Sequence, residues 1–278
     1  MEDEDENIII RFIFTGEDGE VVPADATHVT VHESVKVIPA EAFYEHQNIL
    51  EFECHDGVEK VEEKAFHWCF SLRRVKMPGV KIVEERAFDD CYALADVECG
   101  KLERIGAEAF YCCDSLRSMN LPSVKTVEGR AFLGCKNLVD MTFGDKLESI
   151  GWGAFYDCPD LTRITIPLKD GMITHDYVFQ GCRSLVSVDL VGDLHQTIAA
   201  LHLEEWRDEM SEEIKSINQI LPNTDAGTSL FRIVPNTALT SLVWFDDGGT
   251  VRGAKTRVIP LWIRSVLRNM EKYKVEHH

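Results

Sequence analysis

The chain is short of basic residues: 29 Lys and Arg stand against 48 Asp and Glu in 278 residues, a formal charge of -19. A phosphate-binding surface needs clustered cations, so this balance argues against nucleic acid and anionic membrane as partners and leaves basic, peptide-like or protein partners open. No apolar run approaches the roughly 18 residues of a membrane span. The opening "MEDEDEN", followed by "IIIRFIF", lacks both the positive n-region and the length of a secretory signal. That predicts an intracellular, cytoplasmic protein whose nine cysteines are thiols. C-x-x-C, P-loop, G-x-G-x-x-G and G-x-S-x-G are all missing, and with them the signatures of zinc ribbons, redox motifs, nucleotide binding and serine hydrolysis.

The remaining polar candidates do not assemble into chemistry. His28 and His32 are four apart but fall on a strand and its turn, without helical metal-ligand geometry. Cys112 and Cys113 are adjacent, and His277 and His278 sit at the terminus, where fraying is the ordinary expectation. The sequence therefore predicts no catalytic residue, no cofactor and no metal. What it does have is 45% hydrophobic content, enough for a sizeable core.

That hydrophobic content is periodic. Phenylalanines at 43, 66, 88, 110, 132, 155 and 179 recur every 22 to 24 residues. Three residues after them stand His46, Cys69, Cys91, Cys113, Cys135, Cys158 and Cys182, and six after them an Ile or Leu, from Ile49 to Leu185. The unit A-F-x-x-C-x-x-L-x-x-V-x-L thus occurs seven times, with Val178 in place of the last alanine. Apolar residues two apart at its end (Phe52/Cys54, Val97/Cys99, Met119/Leu121) fit a strand with one buried face. Pro78, Pro122, Pro167, Gly100 and Gly144 mark strand ends. The three-residue spacing of Phe and Cys suits a helical or 3₁₀ turn that points both inward. Seven such coils predict a solenoid, because no single coil can bury its own apolar face.

The rest of the chain is read around this array. Residues 27–43 align with 139–155, so Val29 and Val31 supply an eighth strand of a solenoid over 27–193. Residues 1–26 read as an acidic start and a β-hairpin cap turning at Gly16 to Gly19, which would cover the first sheet edge. Ile198, Leu201, Trp206, Met210, Ile214, Ile217 and Leu221 predict an amphipathic capping helix over 194–222, stopped before Pro222. Residues 223–258 read as an irregular insert, in which "SLVWFDDGGTVRGAKTRV" could turn back at Asp246 to Gly249. Trp262, Val266, Met270 and Tyr273 predict a second helix over 259–278, and exposed apolar surface on this helical pair would favour a homodimer.

The repeat resembles the BspA-like type of leucine-rich repeat, whose pattern is L-P-x-x-L-x-x-I-x-x-x-A-F-x-x-C-x-x-L, over about residues 27 to 192. "LHLEEWRDEM" and "WIRSVLRNMEKYKVEHH" are similar to the tail of a large group of leucine-rich repeat proteins of algal type. The resemblance implies an α/β leucine-rich-repeat solenoid, with a parallel sheet and short helical or 3₁₀ turns, and brings no enzymatic activity with it. BspA-like repeats as a class are associated with protein binding and adhesion.

Outward strand positions carry a charge pattern. They read Glu51/Glu53, Arg74/Lys76, Asp96/Glu98, Ser118/Asn120, Asp140/Thr142 and Arg163/Thr165 along the array. The first three rungs alternate in sign, which would fix register and solubility. The same rigid array could equally read a protein partner, and these twelve residues are the protein-binding candidates. The expected function is a non-catalytic scaffold for protein–protein interaction, the alternative being a structural or adhesion-type repeat protein with no dedicated intracellular partner. The Phe and Cys columns are expected to be structural core. A cysteine is small and apolar, and its thiol can still reach a backbone carbonyl at the turn.

Overall fold

The computed structural model describes residues 9–167, 173–175, 177–185, 187–191, 231–235 and 240–244. The expected helices over 194–222 and 259–278, with any dimer they would form, and residues 1–8 of the acidic start lie outside the described residues.

The apolar pairs closing each repeat form short strands, numbered here in chain order. β1 (Arg11–Phe14), β2 (His28–Val31), β4 (Glu51–Glu53), β6 (Arg74–Lys76) and β8 (Asp96–Glu98) make a parallel sheet. Their equivalents β10 (Ser118–Leu121), β12 (Asp140–Phe143), β14 (Arg163–Pro167) and β16 (Ser187–Val191) make another. Among the described residues no pairing joins β8 to β10. Val97 of β8 is only partly buried, unlike Val75 of β6.

A third sheet stands apart from these two. β3 (Val37–Ile38), β5 (Lys60–Val61), β7 (Ile82–Val83), β9 (Arg104–Ile105), β11 (Thr126–Val127), β13 (Ser149–Ile150) and β15 (Ile173–Thr174) pair in parallel without a break. The residue five before each repeat phenylalanine is β-branched throughout, from Ile38 to Thr174. That is the strand-forming signal in a stretch too short to show alternation.

The turns are not helical. Among the described residues there is neither α- nor 3₁₀-helix, in contrast to the expectation of helical turns. Tyr44 N–H donates to the Glu41 carbonyl and His46 N–H to Phe43, but the intervening Phe43 and Glu45 N–H groups donate to Ala65 and His67 in the next coil. Every other amide is thus committed to a neighbouring coil, so consecutive helical bonds cannot form. The backbone switch is left-handed residues two before and two after each phenylalanine. They are Glu41/Glu45, Lys64/Trp68, Arg86/Asp90, Glu108/Cys112, Arg130/Gly134, Gly153/Asp157 and Tyr177/Gly181. A non-glycine residue in this region costs about 1–2 kcal/mol, so the stacked bonds must outweigh that cost in every turn.

The core is a ladder one coil per rung. Phe43, Phe66, Phe88, Phe110, Phe132, Phe155 and Phe179 stack with neighbouring centroids 4.8–5.8 Å apart and interplanar angles of 12° or less. Beside them, Cys69, Cys91, Cys113, Cys135, Cys158 and Cys182 are buried, and each thiol donates to the carbonyl of the phenylalanine one coil back, at 3.0–3.3 Å. His46 heads the column: its ring is partly exposed, and Nε2 reaches the Val22 carbonyl at 3.3 Å. Close stacking also selects glycine, since a Cβ on Gly144 would overlap the Pro122 carbonyl of the preceding coil.

The two ends differ from the sequence reading. The N-terminal segment is not a hairpin: β1 pairs in parallel with β2, in the register Arg11↔His28 to Phe14↔Val31. The turn at Gly16 to Gly19 does form, held by the Glu20 carboxylate accepting from the Thr15 and Gly16 amides. The chain then leaves the sheet instead of returning along β1, with Val22 buried and Pro23 carrying no amide to donate. Phe14 meets Phe43 at 5.0 Å and starts the aromatic ladder one coil early. At the other end, β17 (Phe231–Pro235) and β18 (Thr240–Trp244) lie within the segment read as irregular. β18 pairs antiparallel with both β16 and β17, so the return strand precedes the turn expected at 246–249. The open edge of β16 supplies the backbone partners that sequence periodicity could not reveal.

Candidate protein-binding face

The strand alternation places the candidate residues on one side of the first sheet. Phe52 and Val75 point inward, and Glu51, Glu53 and Arg74 are exposed. Register aligns Glu51 with Arg74 and Asp96, and Glu53 with Lys76 and Glu98. Arg74 Nε lies 2.8 Å from Asp96 Oδ2, and Lys76 Nζ lies 2.6 Å from Glu53 Oε1. That hydrogen bond to Glu53 holds the Lys76 ammonium above the usual lysine range. His28 of β2 extends the row, with Nε2 3.7 Å from Glu51. Water screens such exposed pairs, so they fix register more than they add stability.

The remaining six candidates belong to the second sheet. Ser118 aligns with Asp140 and Arg163, and Asn120 with Thr142 and Thr165. Thr142 Oγ1 donates to Asp140 at 3.3 Å. Thr165 departs from the expectation of an outward position: it is 8% exposed and belongs to the interior of the face. The twelve residues therefore form two groups of six, separated by the missing β8–β10 pairing.

Two further polar arrays escaped the sequence reading. The third sheet carries its own ladder, with Lys60–Glu84 at 2.9 Å, Lys81–Glu59 at 3.0 Å, and Arg104–Glu128 and Lys125–Glu103 at 2.6 Å. The alternation of "KIVEERAF" with "ERIGAEAF" was its visible trace. On the turns, Tyr44, Trp68 and Tyr92 stay exposed around a partly buried His67 and a buried Asp89. Trp68 Nε1 donates to Asp90 at 2.9 Å, and its ring lies 4.6 Å from the His67 ring. His67 Nδ1 is 3.1 Å from Asp89 Oδ2. Burial pushes the Asp89 carboxyl up to about 7, helped by the Asp90 charge, and burial lowers His67. These residues occupy positions one, two and four after the phenylalanine, where the repeat pattern is silent. Among the described residues no group of three or more His, Cys, Asp or Glu could hold a metal ion, and no helix is long and apolar enough to cross a membrane.

The stacked Phe and Cys columns coincide with a family match. The BspA type leucine-rich repeat region matches in six copies over residues 24–127 and 103–200. The chain belongs to the BspA-type leucine-rich repeat family. No curated protein matches it. A leucine-rich repeat protein from Bacteroides ovatus is 24% identical, with a TM-score of 0.52, over 60% of this chain and 43% of that one. The leucine-rich repeat protein of T. pallidum is 25% identical, with a TM-score of 0.48, over 70% and 85% of the two chains. The Bacteroides ovatus likeness shows a shared fold, and this BspA-type chain spans less than half the length of that protein.

Proposed function

We propose that this BspA-type repeat protein is a non-catalytic scaffold for protein–protein interaction, reading its partner through the strand face. The observation that carries the reading is the register of Glu51, Glu53, Arg74, Lys76, Asp96 and Glu98. Six charged side chains are held in two straight rows on strands whose inner faces are packed into one core. A rigid array of this kind recognises a complementary charge pattern at little cost in ordering. Ser118, Asn120, Asp140, Thr142 and Arg163 extend the surface, with Thr165 beneath it.

A second surface is favoured by one observation: the Trp68 indole is fixed by Asp90 and remains 36% exposed beside Tyr44. Fixed, half-exposed Trp and Tyr are the side chains most often found at binding hot spots. Proximity labelling in the native cell, using wild-type, Arg74→Glu/Arg163→Glu and Trp68→Ala chains, distinguishes the two. Loss of a reproducible partner only on charge reversal, with unchanged melting temperature, supports the strand face. Loss only with Trp68→Ala moves the site to the turns. An unchanged partner set with a lowered melting temperature leaves the charges a structural role alone.

A further inference from the structure

We propose that the gap between β8 and β10 takes an unstructured peptide segment, basic and β-branched residues in alternation, which inserts as the missing strand of one continuous sheet. The proposal rests on the strand-face reading and names the form of the partner there. Both walls of the gap are strand edges. Ala95 and Asp96 N–H donate to the Arg73 carbonyl and Met77 N–H to Glu98, while Val139 and Asp140 N–H donate to Arg117. In a parallel ladder successive residues alternate in direction. The amide and carbonyl of Val97 therefore point away from β6, and those of Ser118 and Asn120 away from β12, toward one another across the gap.

The gap is confined to the strand side. The Cα atoms of β8 and β10 stand mostly more than 8 Å apart, against about 4.8 Å for paired strands and about twice that for strands with one between them. Behind them the coils stay closed: Phe88 and Phe110 stack at 5.2 Å, and β9 pairs with both β7 and β11. Between the walls the apolar floor reaches solvent. Val97 is partly exposed where Val75 is fully buried, and Met119 and Cys99 keep 4% and 5% exposure where Met141 and Met77, one coil away, have none. An inserted strand would satisfy both edges and lay its inward side chains over this floor.

The two walls select the occupant. A slot bounded on both sides admits only a strand with both edges free. Every described strand of this chain is already paired on at least one side, so the sheet edge of a second copy does not fit it. A free segment does, ordered by hydrogen bonds along both edges. Charge then selects its composition. Outward residues read Glu51/Glu53, Arg74/Lys76 and Asp96/Glu98 up to the gap, and Ser118/Asn120 beyond it. Arg74 is bound to Asp96 and Lys76 to Glu53, which leaves Glu98 exposed on the wall. Lysines at the outward positions of the segment continue the alternation and meet Glu98, and β-branched residues suit the inward ones.

The test is fluorescence anisotropy of the full-length protein with a labelled probe, Thr-Val-Lys-Val-Lys-Val-Thr. The proposal expects saturable binding that weakens with salt, and at least about tenfold weaker binding when glutamates replace the lysines of the probe. Two further probes carry N-methyl groups at the lysines or at the valines. Both should lose at least about tenfold in affinity, because an inserted strand donates on both sides; addition to a single edge, such as that of β1, would spare one of them. Asn120→Pro should cost a similar factor with melting temperature unchanged, since the Asn120 amide pairs with no strand across the gap. Ile13→Lys, on β1, should leave the affinity as it is. The proposal is overturned by no binding, whether the slot closes or the chain's own residues fill it. Undiminished binding of the acidic or of either methylated probe, an unaffected Asn120→Pro variant, or a loss in Ile13→Lys would overturn it too. A native partner lost on Arg74→Glu/Arg163→Glu while the probe fails to bind overturns the slot alone and keeps the strand-face reading.

Discussion

Asp89 and His67 show how one residue can carry a cost that its repeat tolerates. Asp89 is 6% exposed, and its Oδ1 has no hydrogen-bond partner. A carboxyl whose folded pKa, about 7, lies above its unfolded value of 3.8 favours folding fully below the unfolded value. That contribution is lost as pH rises through the folded value. His67, lowered by burial, has the opposite sign: it favours folding above about 6.5 and loses that contribution as pH falls. Asp89→Asn removes only the carboxyl part. It should raise stability by about 2–4 kcal/mol at pH 8 and by almost nothing near pH 4, measured by denaturant melts at both. A variant less stable than wild type at pH 8 would mean that an Asp89–His67 ion pair stabilises the fold instead.

Legibility at this scale followed repetition. The phenylalanine and cysteine columns recur at one period and could be read directly, including the reach of each thiol to a carbonyl. His67, Asp89 and Trp68 occupy non-repeating positions, and their juxtaposition depends on which coil neighbours which. Thr165 was misplaced for a related reason: alternation puts it outward, yet it lies in register between Thr142 and Asp189 and is buried.

Among elements, the coil-to-coil ladder is the unit of stability. Glu108 accepts from Arg86 Nη2 at 2.6 Å and Arg130 Nη1 at 3.1 Å, joining three successive turns. Burial pushes its carboxyl up, but the hydrogen bonds from Arg86 and Arg130 outweigh this and hold it below the ordinary glutamate range. Its contribution is therefore present above about pH 4.5 and lost as pH falls through the lowered value. Glu108→Gln keeps the shape and removes the charge, so it should cost about 1–3 kcal/mol at pH 7 and much less at pH 3. An equal cost at both would assign Glu108 a packing role. The strands were legible wherever apolar residues alternated. The two-residue strands from β3 to β15 were not, because alternation needs more length. The turns misled because Phe-to-Cys spacing of three fits a helix equally well. Only the left-handed residues such as Glu41 and Trp68, whose conformation their type does not announce, divert the amides between coils.

The whole molecule is a stack in which each rung depends on its neighbours, so opening one coil exposes the next. The N-terminal segment forms a parallel strand where a hairpin was expected, and the reason is physical. The apolar strand Arg11–Phe14 finds a ready partner in β2, and parallel addition buries Phe14, which a two-stranded hairpin would leave without a core. Among the described residues β1 pairs with β2 alone, while β16 pairs with both β14 and β18.

The central claim is that the cysteine column belongs to this continuous core and holds no reactive site. Native-state alkylation, followed residue by residue by mass spectrometry, tests it most directly. Cys112 is only half-buried, while Cys54, Cys99 and the six column thiols are buried. Burial pushes Cys69 up to about 12 and Cys113 well above the usual thiol range. The account predicts that Cys112 is modified first and that the other eight react together, at the rate of global unfolding. Rapid labelling of Cys113 or Cys135 in the folded protein would contradict the stacked column and the fold built on it.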